Sequence, residues 1–132
     1  GRVTEEFWQH VGIQCLGCSG CTTLCPTCSC FGTRSITEKN GSEDLHASQG
    51  NNVSQVRFWD SCLYEGFQRE ASFHNPTKEA GKRVERFWYH KFSIDFVPEF
   101  GRYGCVGCGR CEQTCPGVIG VHSLMKRIAD DV

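Results

Sequence analysis

The sequence predicts a mainly α-helical fold with one small β-hairpin, and three observations lead there. Apolar residues recur at three- and four-residue spacing in three stretches of the middle and C-terminal chain. The two stretches with strand character, CFGTRSI and VSQVRFW, flank a polar run that reads as a surface loop. Two cysteine-rich runs, residues 15–30 and 105–116, hold ten of the eleven cysteines and bracket an insertion, residues 31–104. At 132 residues the chain suffices for one modest core. It is therefore read as one domain, 1–132.

The elements follow in order. TEEFWQHV, residues 4–11, reads as a short helix leading into the first cysteine run. CFGTRSI and VSQVRFW are expected to pair as a short hairpin. Residues 38–55, EKNGSEDLHASQGNNVSQ, are rich in turn formers and read as loop. In FWDSCLYEGFQREASF, Asp60 is the expected N-cap of a helix, with Leu63, Phe67 and Ala71 at four-residue spacing. A further helix is expected from NPTKEAGKRVERFWYHKF, with Asn75 as cap and Pro76 as first helical residue. Its apolar face runs Ala80, Val84, Phe87, Trp88. Residues 117–131 predict a C-terminal helix with Val118, Val121, Leu124, Met125 and Ile128 on one side.

Two features of the second central helix have competing readings. Lys78, Lys82 and Arg86 form a basic row that could dock an acidic partner or offset negative charge inside. Glu79 and Glu85 interrupt it, which favours an ordinary solvated face. Phe87, Trp88, Tyr89 and Phe92 read as core shielding a site from water. His90, among these aromatics, reads as a packing histidine.

Composition excludes several classes. A formal net charge of −1 gives no field pointing to nucleic acid or an anionic membrane. No apolar run approaches the roughly 20 residues of a spanning helix, and GRVTEEFWQH lacks a signal-peptide layout. The chain opens on Gly1, which suggests a segment cut from something larger rather than a cleaved tag. An odd cysteine count in tight clusters argues against a disulfide framework, because bridges between near neighbours close only tiny loops. Metal ligation in a reducing, cytoplasmic setting is the better reading.

The clusters are an internal repeat. Cys15-x2-Cys18-x2-Cys21-x3-Cys25-Pro26 matches Cys105-x2-Cys108-x2-Cys111-x3-Cys115-Pro116 at every cysteine, at the proline, and at Gly17 with Gly107. A [4Fe–4S] cube needs four thiolates. A loop with cysteines two residues apart wraps three corners, while the fourth cysteine of such a run reaches the other cube. The expected ligands are therefore Cys15, Cys18, Cys21 and Cys115 for cluster I. Cluster II takes Cys105, Cys108, Cys111 and Cys25. The exchange staples the chain ends together, so metal binding and folding are expected to be one event. Gly17, Gly20, Gly107 and Gly109 let the backbone approach the cubes, and Pro26 and Pro116 fix φ after the departing ligands. Zinc sites favour separated cysteine pairs or mixed cysteine and histidine, and fit these runs badly.

Cys28, Cys30 and Cys62 are surplus to eight ligands. Cys62 is expected in the first turn of its helix, where amides and the dipole favour a thiolate. Burial as a packing residue is the leading reading of it. An additional metal ligand and thiol or persulfide chemistry are the others.

The words CPTCSCF, WDSC, HNPT, RVERFWYHKF and YGCVGCGRCEQTCP together resemble a ferredoxin-type 4Fe-4S dicluster subunit family. It includes the beta subunit of sulfhydrogenase, with its counterpart in anaerobic sulfite reductase. The likeness covers about residues 13–122, and WDSC with HNP is closer to the sulfhydrogenase side. It implies an alpha-helical-ferredoxin-like domain working beside a flavin- and NAD(P)-binding subunit, together with a catalytic subunit, nickel–iron or sirohaem. Members carry an N-terminal region absent here, and the loop at 38–55 looks longer than usual.

Three functions follow. The leading one is an electron-transfer module, not catalytic alone, with two cubes in one domain. No G-x-G-x-x-G loop is present, so any flavin or nicotinamide belongs elsewhere. The second is an enzyme using Cys62 with Cys28 or Cys30 on sulfur substrates. The third is a zinc-stapled interaction module, which would be colourless.

Overall fold

The computed structural model describes residues 3–37 and 53–131. Six α-helices and one two-stranded sheet make up most of the regular structure there: α1 Glu5–Gln14, α2 Gly20–Thr23, β1 Phe31–Thr37, β2 Val53–Trp59, α3 Ala80–Phe92, α4 Val97–Phe100, α5 Arg110–Thr114 and α6 Val121–Asp131. The fold is mainly helical, as expected. It divides into two compact units: a helical one, formed by the chain up to Cys28 and from Ser61 onward, and a ribbon, Ser29–Asp60.

Helix α1 starts where Thr4 Oγ1 accepts the Phe7 amide at 3.2 Å, with Glu5 and Glu6 in the favourable first turn. Phe7, Trp8 and Val11 form its buried stripe. It packs on α3 through two glycines. A Cβ on Gly12 would lie 2.4 Å from the Gly81 nitrogen, and one on Gly81 would lie 2.9 Å from the Trp8 carbonyl. Around this crossing Lys82 pairs with Glu5 at 2.7 Å, and the Gln9 amide donates to Glu79 at 2.6 Å. The contact brings Cys15, the residue after α1, next to the buried face of α3. That face is Val84, Phe87, Trp88 and Lys91.

The ribbon pairs β1 and β2 antiparallel, from Phe31 opposite Trp59 to Thr37 opposite Val53. The expected hairpin is there. Gly32 lies under the Phe58 ring, and the Arg57 guanidinium sits 4.2 Å from the Phe31 ring centre. The expected loop at 38–55 falls mostly outside the described residues, and Val53–Gln55 belong to β2.

Four expectations need correction. Residues 60–71 form no helix but a chain of turns, with Tyr64 N–H bonded to Ser61, Phe67 to Tyr64 and Arg69 to Gly66. Ser61 Oγ takes the Leu63 amide at 3.2 Å, a local bond that competes with helix, and Gly66 weakens helix further. Asn75 does not cap the next helix either. Its Oδ1 accepts the Thr77 amide at 3.0 Å and its Nδ2 donates to the Glu65 carbonyl at 2.6 Å, so it builds an Asx turn, and α3 begins five residues later. The C-terminal helix starts at Val121 rather than 117. Val118 has φ +52° and is exposed, leaving Val121, Leu124, Met125 and Ile128 as the inward side. Tyr89 is not core: it is half-exposed, and its hydroxyl donates to Asp95. Lys78 and Arg86 are exposed, so the solvated reading of the basic row fits.

Candidate metal centres

Both cysteine runs fold alike. Gly17 and Gly107 have φ of +63° and +69°, and two residues on Ser19 and Gly109 have φ of +61° and +72°. Each of these second left-handed residues is the N-cap of a short helix, α2 or α5. The repeat seen in the letters is thus a repeat of the backbone, although position 19 carries serine. Ser19 is fully buried, and its carbonyl accepts the hydroxyls of Thr22 and Thr23 at 2.8 and 3.0 Å. Gly20 has a different task from the one expected. A Cβ there would meet Thr114 Oγ1 at 3.0 Å, so it permits α2 to approach α5.

The sulfurs gather around two cavities in the helical unit. The first is walled by Cys15, Cys18, Cys21 and Cys115, with Phe87 and Trp88 behind them. The second is walled by Cys25, Cys105, Cys108 and Cys111, with Cys21, Trp88 and Lys91 also at its edge. Each cavity therefore meets three cysteines of one run and the last of the other, and the second meets Cys21 besides. Gly117 makes the first crossing possible: a Cβ there would lie 2.2 Å from the Gln14 carbonyl, beside Cys15. The second crossing is tied by Thr27 Oγ1, which donates to the Gly104 carbonyl at 2.6 Å, while the Gly104 amide donates to the Lys91 carbonyl at 2.9 Å.

The electrostatics are those of thiols crowded together. Burial first, then the neighbouring Cys15, Cys115, Cys18 and Cys111, push the Cys21 thiol up to about 12. Burial, with Cys105 and Cys108 adding to it, likewise raises Cys111, against hydrogen bonds from the Val121 and Glu112 amides. Such sulfurs ionise together only when a cationic centre stands between them. Cys25 differs. Burial would raise it, but hydrogen bonding with the Thr27 hydroxyl and amide and with Lys91 outweighs that and brings it down to about 7. The Gly107 amide points at Cys105 Sγ from 3.4 Å, the kind of donor that tunes a ligand sulfur.

Two residues escaped the sequence reading. Lys91 is buried, yet it lies on the face of Val84, Phe87 and Trp88, so helical periodicity could have found it. Ser19 stands 90 residues before Gly109, and aligning the repeats would have flagged its backbone. Of the surplus cysteines, Cys28 is half-buried. Burial raises it to about 11, with Lys91 opposing and Cys25 reinforcing. Cys30 lies in the ribbon, where its carbonyl accepts the Asp60 amide. Cys62 is in no helix, so the dipole argument for its thiolate fails. It is buried with the apolar core and lines neither cavity. No disulfide joins the cysteines.

Residues 14–119 match the family model described as a 4Fe-4S dicluster domain. The chain belongs to this family. It is also 35% identical over 130 residues to sulfhydrogenase 2 subunit beta of Pyrococcus furiosus, covering 96% of this chain and 34% of that protein. The chain thus spans about a third of its relative's length. No solved structure matches it.

The donor set fits what a dicluster domain binds. Eight thiols face two cavities: Cys15, Cys18, Cys21 and Cys115 line the first, and Cys25, Cys105, Cys108 and Cys111 line the second, which Cys21 also reaches. Among the described residues no three cysteine, histidine or carboxylate side chains are gathered tightly enough for a single metal ion. The dicluster domain binds two [4Fe–4S] clusters. Among the described residues no helix is long and apolar enough to cross a membrane.

Proposed function

We propose that this dicluster domain is an electron relay, with Cys15, Cys18, Cys21 and Cys115 holding cluster I and Cys105, Cys108, Cys111 and Cys25 holding cluster II. The observation that carries the assignment is the crossing of the runs: the first cavity meets Cys15, Cys18 and Cys21 with Cys115, and the second meets Cys105, Cys108 and Cys111 with Cys25, Cys21 being common to both. A [4Fe–4S] cluster accepts or donates a single electron without bonds being made or broken in a substrate. The chain's own contribution is to exclude water with Phe87 and Trp88 and to fix the thiols on two matching loops. Its amides and charges set the environment of the sulfurs.

In this reading the domain is not catalytic alone. It passes electrons between a flavin- and NAD(P)-binding subunit, on one side, and a catalytic subunit, on the other, within a cytoplasmic oxidoreductase complex. The relative's name supports a hydrogenase-type complex over the sulfite reductase alternative. Anaerobic co-purification from the native source tests the partners. Nickel in the complex is expected, and sirohaem in its place would overturn the hydrogenase assignment.

The ligand assignment has its own test. Anaerobically prepared wild type should carry about eight irons and eight sulfides per chain. Cys115→Ser should perturb the electron paramagnetic resonance of one reduced cluster and Cys25→Ser that of the other. Two unchanged spectra in either variant would remove that cysteine from the ligand set.

A further inference from the structure

Lys91 is 8% exposed, an unusual place for an ammonium group. Its Nζ lies 3.2 Å from Cys25 Sγ and 3.4 Å from Thr27 Oγ1, and 5.2 Å from the centre of the Phe87 ring. Among the described residues no carboxylate forms an ion pair with it. A buried cation is tolerated only where a negative charge stands opposite it. The neighbours able to supply that charge are sulfurs. Lys91 edges the second cavity and is not part of the first.

We propose that Lys91 is a positioning residue that raises the reduction potential of the cluster held by Cys105, Cys108, Cys111 and Cys25, and so sets it apart from the other. The inference rests on the ligand assignment proposed above. Reduction adds one negative charge to the cluster and its thiolates. A fixed positive charge beside one ligand sulfur stabilises the reduced form more than the oxidised form, which moves the potential upward. The interaction weakens with distance and with intervening polarisable groups, so the cluster in the first cavity receives less of it. Trp88 stands in the wall between. Thr27 supports the placement, since its hydroxyl contacts both Cys25 and Lys91 while donating to Gly104. The role needs charge as well as size, which separates it from simple filling of space against Phe87.

The test is a redox titration of the anaerobically purified, cluster-loaded chain, followed by electron paramagnetic resonance, in wild type, Lys91→Met, Lys91→Gln and Lys91→Arg. One of the two midpoints should move to more negative potential in both uncharged variants. The other midpoint should move less, and Lys91→Arg should stay near wild type. The displaced midpoint should belong to the signal perturbed by Cys25→Ser. Lys91→Gln keeps a hydrogen-bond donor on a side chain one atom shorter, and supplies the reading where Lys91→Met loads iron poorly. Unmoved midpoints, a positive shift, equal displacement of both clusters, or loss of iron from both uncharged variants would overturn the proposal. If Cys25→Ser leaves both signals as in wild type, the ligand assignment falls and the inference falls with it. If Cys25→Ser alters one signal while Lys91→Met and Lys91→Gln move nothing, the assignment stands and the inference alone is lost.

Discussion

Gly17 and Gly107 are left-handed, and no atom lies within 4 Å of where a Cβ would stand on either. Backbone conformation alone should therefore set the penalty for a side chain. Gly107→Ala is expected to destabilise the loaded protein by about 1–2 kcal/mol while leaving both clusters in place. Thermal unfolding and iron analysis check it. Gly117 is the contrasting case, because a Cβ there meets the Gln14 carbonyl at 2.2 Å, and the backbone beside Cys15 has to move. Gly117→Ala should lower the iron content toward about four per chain, half the loading of two cubes. The glycine and cysteine positions were readable because an exact spacing repeated 90 residues later leaves little choice of chemistry. Lys91 was not read, because lysine in a helix usually denotes solvent.

Among the elements, α6 depends on a carboxylate from another segment. Glu112 in α5 accepts the His122 amide at 3.0 Å and the Ser123 amide at 3.4 Å, along with the Ser123 hydroxyl. It therefore satisfies amides in the first turn of α6, where a negative charge also suits the helix dipole. The Ser123 hydroxyl, chiefly, holds the Glu112 carboxyl below its ordinary 4.5, slight burial opposing and the two amides assisting. Because the folded group titrates below the unfolded one, its stabilisation is complete above the ordinary value and fades as pH falls through the lower one. Glu112→Gln should be less stable than wild type at neutral pH, and the gap should close in acid. Unfolding curves taken across that range would show a constant gap if the charge were irrelevant. Helices α3 and α6 were legible as apolar periodicity, α1 as a short helix ahead of the first cysteine run, and the ribbon from its two strand-like stretches. The false helix at 60–71 shows the limit of that signal. Leu63, Phe67 and Ala71 kept the spacing, but Ser61 and Gly66 turned the backbone, and only Leu63 among the three is fully buried. Where helices begin was harder still, since Asn75 with Pro76 suits a turn as well as a cap.

Across the whole molecule, the helical unit carries its two cavities inside a small core. Val11, Val84, Phe87, Trp88 and Leu124 are among its most deeply buried apolar residues, and three of them also line a sulfur-walled space. A core interrupted in this way should not hold its shape around eight empty thiols. Removal of iron by chelation under anaerobic conditions is expected to abolish most of the helical circular dichroism, and reconstitution should restore it. Retention of the full helical signal without iron would show that the helices pack unaided. The pairing of ends was visible in the repeat, whereas the placement of Trp88 and Cys21 against both cavities was not, since it depends on how α3 crosses α1. That common partition couples the two sites. An alteration at either residue is felt on both sides at once, so neither site can be reshaped there without disturbing its twin.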